Sequence, residues 1–270
     1  MDWALLSPLI IVGTAFGFVG LERVFPYDRG QRVFREGFFV DLIGYGLIQS
    51  YLLGLLISQV IQWLDAASGL SRLHLVSGWP VWLQLGFFFV THDLYIYCFH
   101  RLQHHSPLLW RIHEAHHSVP DVDWLAGTRS HPLEILINQT IEFAPIALLG
   151  AAPEVALMKA TLDAVWGMYI HSNLGVRTGR LQWLINGPEM HRLHHALDVR
   201  DRNFATKIAI WDWLFGTAYL PAQRERHEYG LTDDPNYPRD YVGQVLWAFH
   251  RNRATPPVRE PVAELTRGGV

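Results

Sequence analysis

Apolar positions fall into five long blocks joined by polar links. Trp3 to Leu21 is a 19-residue run without a charged side chain, enough for a helix to cross a bilayer core of about 30 Å. It follows Met1-Asp2 rather than a basic segment and exceeds the apolar part of a secretory signal, so a retained helix is expected. A link from Glu22 to Glu36 carries Arg23, Arg29, Arg32 and Arg35. Gly37 to Leu64 is a second apolar block, broken by Asp41 and a few Gln, and long enough to tilt. A third, Trp79 to Phe99, runs straight into a histidine-rich stretch. The blocks at 133–150 and 153–170 are apolar but hold Glu134, Glu142, Glu154, Lys159 and Asp163. They predict a helical hairpin that spans the membrane or only dips into it.

The expected organisation is therefore all-α: transmembrane helices over 1–99, a histidine-rich region over 100–220 that includes the hairpin at about 133–170, and a polar region over 221–270. The Pro- and Arg-rich tail from Thr255 is expected to be disordered. Four Arg follow the first apolar block and only Arg72 follows the second. By the positive-inside rule the first loop is cytoplasmic, and the third span returns to that side where the histidines begin. The reading is a multi-pass integral membrane protein.

Composition sharpens this picture in three ways. Half of the residues are apolar and only 17% are charged, against roughly 25% in soluble domains. The net charge of -3 offers no basic field for nucleic acid. A single cysteine, Cys98, rules out an internal disulfide framework or a CxxC motif.

The 15 histidines are the abnormal feature. His100 and His104 are spaced i, i+4 and share a helix face. His113, His116 and His117 repeat the pattern, as do His191, His194 and His195. His171 ends the fifth apolar block, and His131 precedes Pro132. A lone histidine is ordinarily a surface or satisfied core residue, and His74, His227 and His250 in polar stretches are read that way. His105 points about 100° away from His104 on a helix, and His92 is expected to pack ordinarily. The clusters are different, because imidazoles gathered at a membrane interface are costly without partners. Metal coordination supplies partners, and eight clustered histidines exceed the four positions of one zinc site. Two ions are implied, and imidazole alone does not choose between zinc, copper, iron and nickel. Asp93, Tyr97, His100 and His104 step by four, three and four along one helix face. Asp93 can thus accept the outer N–H of a ligating ring; pairing with His92 or Arg101 is the plainer alternative.

At these residues the sequence resembles the fatty acid hydroxylase and sterol desaturase superfamily of membrane-bound di-iron oxidases. The resemblance rests on "DLYIYCFHRLQHHSPLLWRIHEAHHS", "TRSHPLE", "YIHSN", "GPEMHRLHH" and "WDWLFGT", which appear in that order over residues 93 to 217. It implies a helical membrane core capped by a cytosolic histidine-rich di-metal domain. Two iron ions would activate O2 and hydroxylate or desaturate a C–H bond of a lipid-like substrate, with zinc able to take their place in purified protein. Carried over, the ligands are His100, His104, His113, His116, His117, His191, His194 and His195, with His171 a further one and His131 a weaker one. Asp212, with Asp93, would be a carboxylate orienting the ligands. The chain departs at Gly167, where some members carry another histidine, and at Asn203-Phe204-Ala205, where "NYG" is common. His131-Pro132 is followed by Leu-Glu rather than Gly-Gly, so electrons are expected from a separate donor protein rather than a fused cytochrome b5. Trp110, Trp124 and Trp166 would line a lipid route or, more ordinarily, anchor at the interface.

Two rival readings differ in class. A divalent metal transporter would hold its ligands at the bilayer midplane on broken helices, whereas these follow the spans. A membrane zinc hydrolase would use three or four ligands and a carboxylate base, and "HEAHH" lacks the HExxH spacing.

Overall fold

The computed structural model describes residues 2–224, 226–231 and 236–250, and the tail expected from Thr255 lies outside them. The described chain is helical and contains no strand, only two isolated bridges. Helix α1 is Trp3–Val24, capped by Asp2, whose side chain accepts from Ala4 N. Val40–Gln49 is wound as a π-helix and runs directly into α2, Ser50–Ser68. Then follow α3 (Val81–His105), α4 (Pro107–His117), α5 (Pro132–Leu148), α6 (Pro153–His171), α7 (Pro188–His195), α8 (Ile210–Leu214) and α9 (Tyr241–Trp247). Pro107, Pro132, Pro153 and Pro188 each sit at a helix start, where the missing N–H costs nothing and the fixed φ suits the first turn.

Two helical stretches, Trp3–Val24 and Val40–Ser68, are long and apolar enough to cross a membrane. Leu9, Phe16, Tyr51 and Leu52 are among the apolar side chains they leave exposed, as lipid-facing helices do. The other three predicted blocks form α3, α5 and α6, with ionisable side chains turned inward: Asp93, Glu134, Glu142 and Lys159 are all buried. Those residues interrupt the apolar runs and keep these helices out of that pair.

Packing places α1 along α6, and α2 along α5, while α3 touches α4, α5 and α6. Phe18 of α1 packs with Met168 and Leu174 next to His171. A second buried patch, Val76, Phe88, Ile146 and Val155, ties the other ends of α3, α5 and α6 together. The histidine-bearing ends of α3 and α6 are thereby held against α4 and α7.

Candidate metal centre

Nine histidines form two adjoining groups. His100, His104, His113, His117 and His194 present ring nitrogens that all lie within 4.8 Å of one another, and so do His116, His171, His191 and His195. Each HxxHH run contributes to both groups. On α4, His113 and His117 face the first group while His116 faces the second; on α7, His194 joins the first and His191 and His195 the second. Neighbouring helical positions point about 100° apart, so one short helix can serve two ions. The groups touch where the His117 and His195 rings stand 4.5 Å apart, centre to centre.

The outward nitrogens are held by the protein. His100 Nδ1 donates to Phe204 O at 2.8 Å, His194 Nδ1 to Arg202 O at 2.8 Å, His116 Nδ1 to Arg129 O at 3.0 Å and His171 Nδ1 to Gly167 O at 2.8 Å. Glu134 Oε1 accepts from His113 Nδ1 at 2.9 Å. A neutral imidazole carries one proton, so these contacts leave Nε2 as a bare lone pair. Yet His171 Nε2 lies 3.2 Å from His116 Nε2 and 2.9 Å from His191 Nε2, and His195 Nε2 is 3.2 Å from His191 Nε2. Two unprotonated nitrogens, on His116 and His171, cannot hydrogen-bond each other; a shared cation reconciles them. In the first group, Nε2 of His100, His117 and His194 is buried without a hydrogen-bond partner among the described residues. This donor set fits two imidazole-bound metal ions.

Electrostatics agrees. Burial, reinforced by neighbouring imidazoles, lowers the pKa of His116 to about 4 and holds His117, His191, His194 and His195 well below their ordinary value. The rings are therefore neutral at pH 7, the form that binds metal.

The remaining expected site residues lie elsewhere. The structure does not bring His131 to either group: it caps α5, its Nδ1 accepting from Leu133 N, and its Nε2 donates to Val245 O at 3.1 Å. Both nitrogens are spent, and Gly167 opens instead onto free space. Asp93 takes no imidazole N–H among the described residues. It accepts from Ile208 N at 2.9 Å, Trp211 Nε1 at 3.0 Å and Lys207 N at 3.2 Å, pinning the 206–211 loop to α3. Asp212 accepts from Phe204 N, Ala205 N and Thr217 Oγ1, and so supports His100 through the Phe204 carbonyl. Asn203 stands at φ 56°, a left-handed conformation that Asn tolerates. It accepts from Tyr219 N and donates to Met190 O, holding the turn whose Arg202 and Phe204 carbonyls meet the His194 and His100 rings.

Glu134 was not singled out in the sequence, although it stands in "HPLE" one helical turn beyond His131. Glu22 was missed too: its Oε1 accepts from Trp124 N at 2.8 Å and Asn173 N at 2.7 Å, clamping α1 beside His171. Trp110 packs its ring on His104 and His117.

A cavity of about 220 Å³ opens beside both groups, with His100, His113, His116 and His171 in its wall and Trp166 and His92 further along. A reacting molecule placed there would meet both sets of nitrogens.

Residues 85–217 match the fatty acid hydroxylase family. The chain is 32% identical over 176 residues to an ornithine lipid hydroxylase of Rhizobium tropici, covering 64% of this chain and 52% of that protein. It is 32% identical over 150 residues to the alkylglycerol monooxygenase of Homo sapiens, covering 55% and 33%. With methylsterol monooxygenase 1 of Rattus norvegicus it shares 31% over 132 residues, covering 47% and 44%. The chain thus spans about half, or less, of the length of these curated relatives. No solved structure matches. The stretch that matches the family holds all nine clustered histidines and the two carboxylates, Asp93 and Asp212, that brace the 203–211 segment, and residues 85–217 of this chain therefore belong to the fatty acid hydroxylase family.

Proposed function

We propose that this protein is a membrane-bound oxidase that holds two iron ions on its paired histidine groups and uses O2 to hydroxylate a lipid-like substrate. The observation that supports it most is the double constellation itself: nine buried imidazoles in two touching groups, with bare nitrogens converging where neighbouring N–H groups are spent on carbonyls. A hydrolytic zinc site needs about four ligands, and this set is twice that. The relatives' names, which specify ornithine lipid, alkylglycerol and methylsterol, point to a lipid of the same broad kind.

In this reading His100, His104, His113, His117 and His194 hold one ion, and His116, His171, His191 and His195 the other. When bound, iron supplies the redox and O2 chemistry needed to break an unactivated C–H bond. The chain's part is to fix ring orientation through Phe204, Arg202, Arg129, Gly167 and Glu134, and to exclude bulk water: all nine rings are buried. Asp93 and Asp212 act one step further out, as positioning residues for the 203–211 loop. Electrons come from a separate donor protein. The arginine-rich link after α1 supports a cytoplasmic location for the histidines.

Elemental analysis of detergent-purified protein expressed with iron tests this. One iron per histidine group is expected, with His113→Ala and His194→Ala depleting the first group, and an oxygenated lipid accumulating only with the wild type. Zinc alone at one ion per chain, or no metal under iron-replete expression, would overturn it and favour a hydrolase or a transporter.

A further inference from the structure

The end of the cavity away from the metal groups is polar in an unusual way. The Lys159 ammonium, fully buried, lies 2.7 Å from Glu142 Oε1 and 3.2 Å from His92 Nδ1, and also contacts Asp163. His92, Glu142 and Asp163 have the geometry of a cation site, but Lys159 already occupies it. This cluster therefore does not hold a third metal. Its charges pair off instead. Lys207 Nζ stands 3.4 Å from Asp163 Oδ1 and 3.8 Å from Asp93 Oδ1, so two ammonium groups face three carboxylates. The wall offers no surplus positive charge for a carboxylate or phosphate headgroup.

What it offers is neutral donors. An ammonium has only hydrogens to give, so His92 Nδ1 must accept from Lys159, and the proton of the neutral ring then sits on Nε2. That N–H is buried and has no hydrogen-bond partner among the described residues; Glu142 Oε2, at 3.8 Å, is beyond hydrogen-bond reach. The indole N–H of Trp166 is also buried and has no hydrogen-bond partner among the described residues. Both residues line the cavity, and His92 is only 8% exposed. Two orphaned donors in one pocket ask for an acceptor, and with the ammonium groups beside them already paired to carboxylates an uncharged one suits the site. Gly167, beside Trp166, leaves the space where a side chain would stand.

We propose that this chamber seats an uncharged oxygen function of the substrate (a hydroxyl, ether or carbonyl) against Trp166 and His92. Building on the lipid-oxidase reading above, the carbon oxidised then lies within a few bonds of that oxygen, because the same small cavity reaches the metal-facing histidines. The protein is thereby tuned to a neutral lipid head region rather than to a free fatty acid or a bare hydrocarbon chain.

The test is ligand binding by the full chain in detergent without oxygen, using radiolabelled hexadecan-1-ol, hexadecanoate and hexadecane at pH 9. The alcohol is expected to bind about tenfold more tightly than either of the others. Trp166→Phe, which keeps a ring and removes the N–H, should weaken alcohol binding about fivefold, the worth of one hydrogen bond, and leave hexadecane unchanged. Gly167→Leu, which fills the chamber, should abolish alcohol binding while the thermal midpoint stays near wild type. Equal or tighter binding of hexadecanoate or hexadecane would overturn the proposal, as would an unaltered preference in Trp166→Phe. Because no turnover is read, a protein that lacks iron but prefers the alcohol would sink only the oxidase reading. One that holds iron but lacks the preference would sink only this inference.

Discussion

A methyl group added at Gly127 would stand 2.6 Å from Nδ1 of His171, closer than real side-chain carbons come to any ring. No rotation of a flexible neighbour relieves that contact, since the ring is fixed at Nδ1 by Gly167 O and at Nε2 by its neighbours. Gly127→Ala should therefore push His171 out of the second group. The expected outcome is loss of one of two metals, read by elemental analysis, with the first group still loaded. Glu134 works by attraction rather than by absence of bulk. It binds Nδ1 of His113 and accepts from Gln103 Nε2 at 2.9 Å, so it fixes the tautomer and raises the basicity of the ring. Glu134→Ala should weaken metal binding in the first group by about ten- to a hundredfold, measured by chelator competition.

At the scale of elements, the histidine spacings made the helical faces legible, and the third run's continuation into His100 placed the site at the end of α3. The division of each HxxHH run between two groups was not legible, because it depends on where α3 and α6 stop relative to α4 and α7. Asp93 shows the same limit. Its i, i+4 relation to Tyr97 holds, yet its oxygens turn to the 206–211 loop, which comes more than a hundred residues later. Periodicity reports faces, and says nothing of which distant backbone arrives there. His92 was expected to pack ordinarily, and only the arrival of Lys159 from α6 gives it a polar role. Glu22 makes the point testable. As a single acid at the end of an apolar helix it looks like a membrane boundary, but it accepts two backbone N–H groups on either side of the site. Glu22→Ala strands both donors, at about 1–3 kcal/mol each. The variant should show a lower thermal midpoint and release metal from the His171 group faster on dialysis than wild type.

Across the whole molecule, the metal centre and the stability of the fold are linked through protons. Histidines that are neutral when folded must gain protons when the chain unfolds in acid. For His116 the folded value is about 4, against an ordinary value of 6.5, and His117, His191, His194 and His195 shift the same way, each chiefly through burial. Between those two values the unfolded chain binds more protons, so stability rises with pH through that window and falls as pH drops from 6.5 toward 4. Metal acts against the same protons, because each bound nitrogen must be unprotonated. A metal at a thousand times its dissociation constant adds about 4 kcal/mol to the folded state, and that increment shrinks as acid competes for the rings. Metal-free protein should therefore show a thermal midpoint that falls steadily below about pH 6.5. The iron-loaded form should start higher and converge on it as the pH approaches 4. A metal-free midpoint that stays flat over this range would mean that the rings are hydrated and free to charge in the folded state. That result would contradict the buried, neutral cage on which two-metal binding depends.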